Sequence, residues 1–244
     1  QPRALWKDGD QYEFLRERSV GDTNRRLAWL ESEMPKKEGR SVVDVGSGYG
    51  FFVKRLIEEG YDAKGIEVSA ERLVLARADV GDVFHDAQVD EAFVREHEGE
   101  FDVVTTFHVI EHLRDPVSYL SYLLRLVAPG GRLLVEVPNL TDEIMYYIPN
   151  YANHLWQIGH LSYFDGEHLE IALRKAGAKD VTISGVQRYG LRHLVQWTDK
   201  EGPDLGKQKH EGSNPLFERM DALYREDRIA KGTSDTLIAT VRVS

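Results

Sequence analysis

The segment Val42-Val43-Asp44-Val45-Gly46-Ser47-Gly48-Tyr49-Gly50 is the feature that most narrows the folds open to this chain. An apolar run of strand length enters three glycines, and the amphipathic stretch Phe51 to Glu59, stopped by Gly60, follows at once. Strand, glycine turn and helix in that order open a βαβ unit, because glycine tolerates the turn's backbone and lets a ligand lie against it. The pattern then repeats. One strand-like run ends at Glu67, others cover Asp82 to His85, Phe101 to Thr106, Arg132 to Val137 and Asp180 to Val186, and a last one covers Thr236 to Val243. Helical stretches separate them, with Ser69, Asp115-Pro116 and Asp165 placed as starts and Gly177 as a stop. This alternation predicts an α/β chain with a mostly parallel, doubly wound sheet and helices on both faces.

The 244 residues fit a single domain, 1–244, more easily than two. Two parts stand outside the alternation. Residues 1–40 read as a helical cover over the sheet edge, with Leu27, Leu30 and Met34 at helical spacing. Residues 187–231 form an insertion between the last two strands, and an insertion of that length usually carries function, here the selection of a substrate. The absence of cysteine excludes disulfides, thiolate zinc sites and cysteine nucleophiles. With 31 basic and 41 acidic residues the formal charge is −10, which disfavours nucleic acid and favours a small-molecule partner. Apolar runs such as Leu133 to Val137 are far shorter than the roughly 20 residues of a membrane-spanning helix, so no membrane is expected. Gln1-Pro2-Arg3-Ala4 runs into Trp6-Lys7-Asp8 without a basic-then-apolar leader, from which a cytoplasmic location is expected.

The glycine spacing indicates which ligand suits the loop. A dinucleotide loop wants Gly-x-Gly-x-x-Gly to meet a pyrophosphate, whereas here the order is Gly-x-Gly-x-Gly and position 51 is Phe. Seventeen residues after Gly50, Glu67 closes the second strand, where a carboxylate can accept hydrogen bonds from both hydroxyls of a ribose. Loop and acid together resemble the first motifs of the class I S-adenosylmethionine-dependent methyltransferases. The resemblance implies a Rossmann-like seven-stranded sheet whose last strand is antiparallel. It also implies S-adenosyl-L-methionine as cofactor, held by Asp44, Gly46, Ser47, Gly48, Gly50, Glu67, Asp86, Ala87 and Phe107. Asp86 sits at the position that contacts the adenine amino group, and it is also placed to cap the next helix.

The block Phe101 to Pro116, with His108-Val109-Ile110-Glu111-His112 inside it, resembles the fourth-strand motif of ubiquinone-biosynthesis and related small-molecule methyltransferases. His108, Glu111 and His112 fall on one face of a helical turn and are the candidates for a divalent cation. The set lacks a further oxygen ligand, so the expectation is no metal, with Glu111 and His112 buttressing the turn. Bases for removing an acceptor proton are His160 first, then His108 and His154, in or near the aromatic segment His154 to Phe164. Tyr163, Arg188, Tyr189, Arg192 and His193 are the candidates for acceptor binding, the arginines for an anionic group and the rings for stacking. Gln187-Arg188-Tyr189 resembles a short segment of bacterial sugar- and polysaccharide-associated methyltransferases. The reading is therefore O-methylation in carbohydrate biosynthesis, on a small polar acceptor such as a nucleotide-linked or polysaccharide sugar. An aromatic or quinone-like acceptor is the alternative, and a non-catalytic cofactor-binding partner subunit is the reading from another class.

Overall fold

The computed structural model describes residues 8–149, 151–152, 156–198 and 214–244. Seven strands form one sheet in the order β3-β2-β1-β4-β5-β7-β6. They are β1 Ser41–Val45, β2 Asp62–Glu67, β3 Phe84–Asp86, β4 Phe101–Phe107, β5 Val127–Pro138, β6 Asp180–Val186 and β7 Thr236–Arg242. Pairing is parallel from β3 through β5, and β7 runs antiparallel to both of its neighbours. This is the doubly wound architecture expected from the alternation, down to the reversed last strand.

The helices are α1 Asp8–Glu33, α2 Phe51–Glu58, α3 Ala70–Val80, α4 Glu91–His97, α5 Pro116–Leu126, α6 Gly166–Lys175, α7 Leu191–Thr198 and α8 Pro215–Ala230, with single turns at Ile110–His112 and Ile144–Tyr147. Each side of the sheet has its own core. Leu30 of α1, Leu56 of α2 and Leu73 of α3 pack with Val42 and Val103 on one side. Leu120 of α5 and Leu169 of α6 pack with Val43 and Val104 on the other, as side chains alternating along a strand require. Ser69 accepts from the Arg72 amide, Asp115 from the Ser118 amide and Asp165 from the His168 amide, so the three starts read from sequence are capped.

Four boundaries and placements differ from expectation. Helix α1 lies on a sheet face rather than over the edge, and the Trp29 indole donates to the Thr240 hydroxyl of β7 at 3.2 Å. Strand β3 begins at Phe84, the first buried residue of the run, while Asp82 is exposed and pairs with Arg77. Strand β5 begins at Val127, five residues before Arg132, since the Ala128-Pro129-Gly130-Gly131 stretch stays in the sheet through an irregularity opposite Phe101 and Val103. The insertion carries α7 and α8, while residues 199–213 within it, including Lys200, Lys207 and Lys209, lie outside the described residues.

Register fixes where a ligand can sit. Glu67 pairs with Asp86, Val45 with Thr106 and Phe107 with Glu136, so β1 to β5 end along one edge and their following loops converge there. In open α/β sheets that edge is the ligand crevice.

Candidate active site

The glycine loop is shaped by backbone demands before any ligand is considered. Gly46 has φ 77°, and a Cβ there would stand 2.4 Å from Cγ2 of Val109. Gly48 has φ 58° and nothing within 4 Å of the same point, so its open side faces the crevice and only its conformation requires glycine. Oε2 of Glu67 accepts from the Gly48 amide at 2.8 Å, and Oε1 accepts from the amides of Val68 at 3.0 Å and Ser69 at 2.8 Å. Glu67 is thus buried and locks the loop to the end of β2. Three backbone donors leave about one of its four acceptor positions for a ribose hydroxyl, fewer than the two expected from sequence. Ser47 hydrogen-bonds through its amide to the Ile66 carbonyl at 3.0 Å, in the middle of the same seam.

Around this loop the other cofactor candidates divide. Asp44 is buried and accepts from the Thr105 hydroxyl at 2.7 Å; burial pushes its carboxyl up to about 6, against the Thr105 hydrogen bond and the nearby Arg26. Asp86 is exposed at the end of β3 and does not cap the next helix, because Asp90 does so by accepting from the amides of Ala92 and Phe93. Ala87 packs its methyl against the core. The Phe107 ring is turned into packing with Phe52 at 5.3 Å and beneath the Arg26 guanidinium at 4.3 Å, which places it under α1 rather than open to the crevice.

Immediately after β4 the backbone of His108 takes φ 56°, a left-handed conformation that costs a side-chain-bearing residue energy and is held here by its amide bonding to the Glu136 carbonyl at 2.9 Å. That twist directs the imidazole into a buried charge network. Its Nε2 is 3.0 Å from Oε1 of Glu136 and 3.0 Å from a terminal nitrogen of Arg188, and its Nδ1 is 3.4 Å from Oε1 of Glu111. Burial lowers the His108 pKa, but Glu111 and Glu136 outweigh it and the net shift is upward. Two carboxylates beside the imidazole favour its protonated form over the neutral form a base needs, which argues against the sequence expectation for this residue.

Glu136 is a single carboxylate inside the otherwise apolar end of β5, with no motif around it to mark it in the sequence. It is wholly buried and receives Arg25 at 2.8 Å and Arg26 at 2.6 Å from α1. Burial alone would raise its pKa, yet Arg26, His108 and Arg25 hold it well below the usual value. Arg188 is likewise committed. Its guanidinium grips both carboxylate oxygens of Asp22, so it ties the start of the insertion to α1 and is less available to an acceptor than expected. Asp235, buried before β7, accepts from the amides of Arg188 and Tyr189 at 2.8 Å each and fixes that segment.

These elements enclose two cavities that share Arg188 and Tyr189. One, about 310 Å³, is lined by His108, Glu111, His112, Tyr151, His160 and Tyr189 among others. The larger, about 820 Å³, lies between α1, the glycine loop and the insertion, and takes in Arg192 and His193. The His160 ring stands edge-on to His112 at 4.7 Å and to Tyr163 at 5.5 Å, and the Tyr163 hydroxyl accepts from the Gln157 amide. His154 lies outside the described residues. Ligand atoms of Glu111, His112 and His160 fall within 4.8 Å of one another, so the trio that could hold a cation includes His160 in place of His108. Glu111 is buried and neither carboxylate oxygen meets hydrogen-bond geometry; Nδ1 of His108 stands 3.4 Å from its Oε1.

Residues 13–183 match the family model described as a methyltransferase domain. A ubiquinone biosynthesis O-methyltransferase from Aromatoleum aromaticum is 32% identical over 180 residues, covering 69% of this chain and 76% of that protein. The same-named protein of Thiobacillus denitrificans is 36% identical over 118 residues, 47% of this chain and 50% of its own length, so the chain spans about half of several curated relatives that it matches. A crystal structure of a SAM-dependent methyltransferase from Archaeoglobus fulgidus superposes with a TM-score of 0.61 at 20% identity, covering 95% of this chain and 99% of that one. Sheet order, glycine loop, buried Glu67 and a family match over most of the sequence lead to one conclusion: the chain belongs to the class I S-adenosylmethionine-dependent methyltransferases.

Proposed function

We propose that the chain methylates a hydroxyl oxygen on a small, ring-bearing acceptor of the phenol or quinol kind. The observation that carries this reading is the 310 Å³ cavity, in which histidines and tyrosines meet beside the glycine loop, Val109 of the same turn packing on Gly46. The names of the relatives support an acceptor of this kind over the sugar suggested by Gln187-Arg188-Tyr189. A sugar derivative is kept as the second reading by the arginines around the larger cavity, which suit a charged acceptor.

The cofactor fits the residues present: Gly48 leaves open backbone at the crevice, and Glu67 keeps an acceptor position beside it. When bound, it supplies a methyl group on an electrophilic sulfonium that needs little further activation. The chain's task is to align the acceptor oxygen with that methyl, an effect worth up to roughly 7 to 11 kcal/mol, and to remove the hydroxyl proton. His160 is the proposed base, because its ring lines the cavity with ligand atoms of Glu111 and His112 within 4.8 Å of its own. A positioned histidine adds about 10² to 10⁴ in rate. Tyr151 and Tyr189 pack edge to face on each other, 6.1 Å between ring centres, and form one aromatic wall of the same cavity.

The test is transfer of labelled methyl to a panel of catechols, simple phenols, free sugars and sugar nucleotides. Methylation of phenolic members, with kcat reduced in His160→Gln and KM little changed, is the expected result. Methylation confined to sugars removes the quinol-like reading, and a His160→Gln variant with wild-type kcat removes the assignment of the base.

A further inference from the structure

In a chain with a net charge of −10, one cavity gathers five arginines, Arg18, Arg25, Arg188, Arg192 and Arg225, against the single carboxylate of Asp22 in its lining. Their commitments differ. Arg25 is held by Asp22 and Glu136, Arg188 by Asp22, and Arg225 by Asp221. Arg18 and Arg192 have no carboxylate partner among the described residues and instead lie over aromatic rings, Arg18 above Phe14 at 5.3 Å and Arg192 above Phe217 at 4.9 Å. A guanidinium resting on a ring keeps its N–H edge available, and that edge is the part that recognises phosphate.

The two free arginines come from different walls. Arg18 belongs to α1 and Arg192 to α7, and the neighbouring His193 is held below its ordinary pKa, by burial first and then by Arg225 and Arg18. The field inside this cavity is therefore positive from both sides. The cavity shares Arg188 and Tyr189 with the histidine-lined pocket, so the two lie side by side.

We infer that Arg18 and Arg192 form a subsite for a phosphoryl group carried by the acceptor, at a distance from the hydroxyl that is methylated. The inference rests on the proposed O-methylation and adds to it the substrate class, a phosphorylated hydroxy compound. Arg188 serves the subsite as a wall, since Asp22 occupies its fork, and Arg225 holds the carbonyl of Arg188 in place at 3.0 Å.

Calorimetric titration of inorganic pyrophosphate into protein saturated with S-adenosylhomocysteine tests the subsite without any turnover, and with the cofactor's own place filled. Wild type is expected to bind, and Arg18→Gln and Arg192→Gln are each expected to weaken binding about tenfold or more, a charged hydrogen bond being lost in each. Arg174→Gln, an exposed arginine of α6 paired with Glu170, is the control for net charge and is expected to bind as wild type does. Absence of pyrophosphate binding in wild type, or an equal loss in Arg174→Gln, overturns the subsite. If S-adenosylhomocysteine binds and neutral phenols are methylated while pyrophosphate does not bind, the phosphoryl inference fails and the O-methylation reading stands. If no hydroxyl is methylated yet pyrophosphate binding depends on Arg18 and Arg192, the reverse holds.

Discussion

Single residues at the crevice edge show how much chemistry a sequence discloses and where it stops. Gly46, Gly48 and Glu67 were legible because their roles are local: each follows a strand end, and backbone conformation alone constrains the glycines. His108 was not, since its direction depends on φ 56° and on partners 28 and 80 positions away, Glu136 and Arg188. The lowered capacity of Glu67 was hidden for the same reason, as spacing shows a carboxylate but not the three amides that occupy it. Asp44 yields a prediction at this scale. Its carboxyl titrates near 6, so it is an anion above that pH and becomes neutral below it. If it faces the cofactor's ammonium, affinity for S-adenosylhomocysteine falls as pH drops through about 6, and Asp44→Asn flattens the profile. Calorimetry across this range checks it, and an unchanged slope in Asp44→Asn removes the residue from cofactor binding.

Among elements, the strands were easier to read than the helix that covers them. Strand β6 matches its expected range residue for residue, and β2 ends at Glu67 as its motif requires. Helix α1 starts well before the apolar spacing begins at Leu27, because its first half is polar and docks through specific contacts such as the Tyr12 hydroxyl donating to Asp79 at 2.9 Å. Its second half is anchored by Arg25 and Arg26 on Glu136, and pairs separated by 110 positions or more leave no trace in local pattern. Removing the shared carboxylate leaves Arg26 without its carboxylate and Arg25 with Asp22 alone, so Glu136→Gln is predicted to destabilise the protein by about 3 kcal/mol in urea denaturation. The sign with pH follows from a depressed carboxyl: its stabilisation is fully present above the ordinary value of 4.5 and fades as pH falls through the lower folded value. A variant as stable as wild type at neutral pH would show that α1 is held by its apolar face alone.

Across the whole molecule, one edge of one sheet collects everything the account uses: the loop after β1, Glu67 after β2, His108 after β4 and the insertion after β6. The fold was readable from alternation, whereas the acceptor pocket was not, because it forms where α1, the 108–112 turn and the insertion meet. The same convergence makes Glu111, His112 and His160 neighbours, and a cation there would take over proton removal. With a single carboxylate in the trio and His108 beside it at 3.4 Å, turnover is predicted to survive dialysis against a chelator. Full loss, restored by one divalent ion and abolished in Glu111→Gln, would reverse that assignment. The central claim, that S-adenosylmethionine is held by the glycine loop and Glu67, is tested most directly by titrating S-adenosylhomocysteine into wild type and Glu67→Ala. Wild type is predicted to bind and the variant to lose about 1 to 3 kcal/mol, the range for a charged acceptor removed from its donors. Equal affinity in the two proteins, or binding of NAD in place of the homocysteine compound, would contradict it.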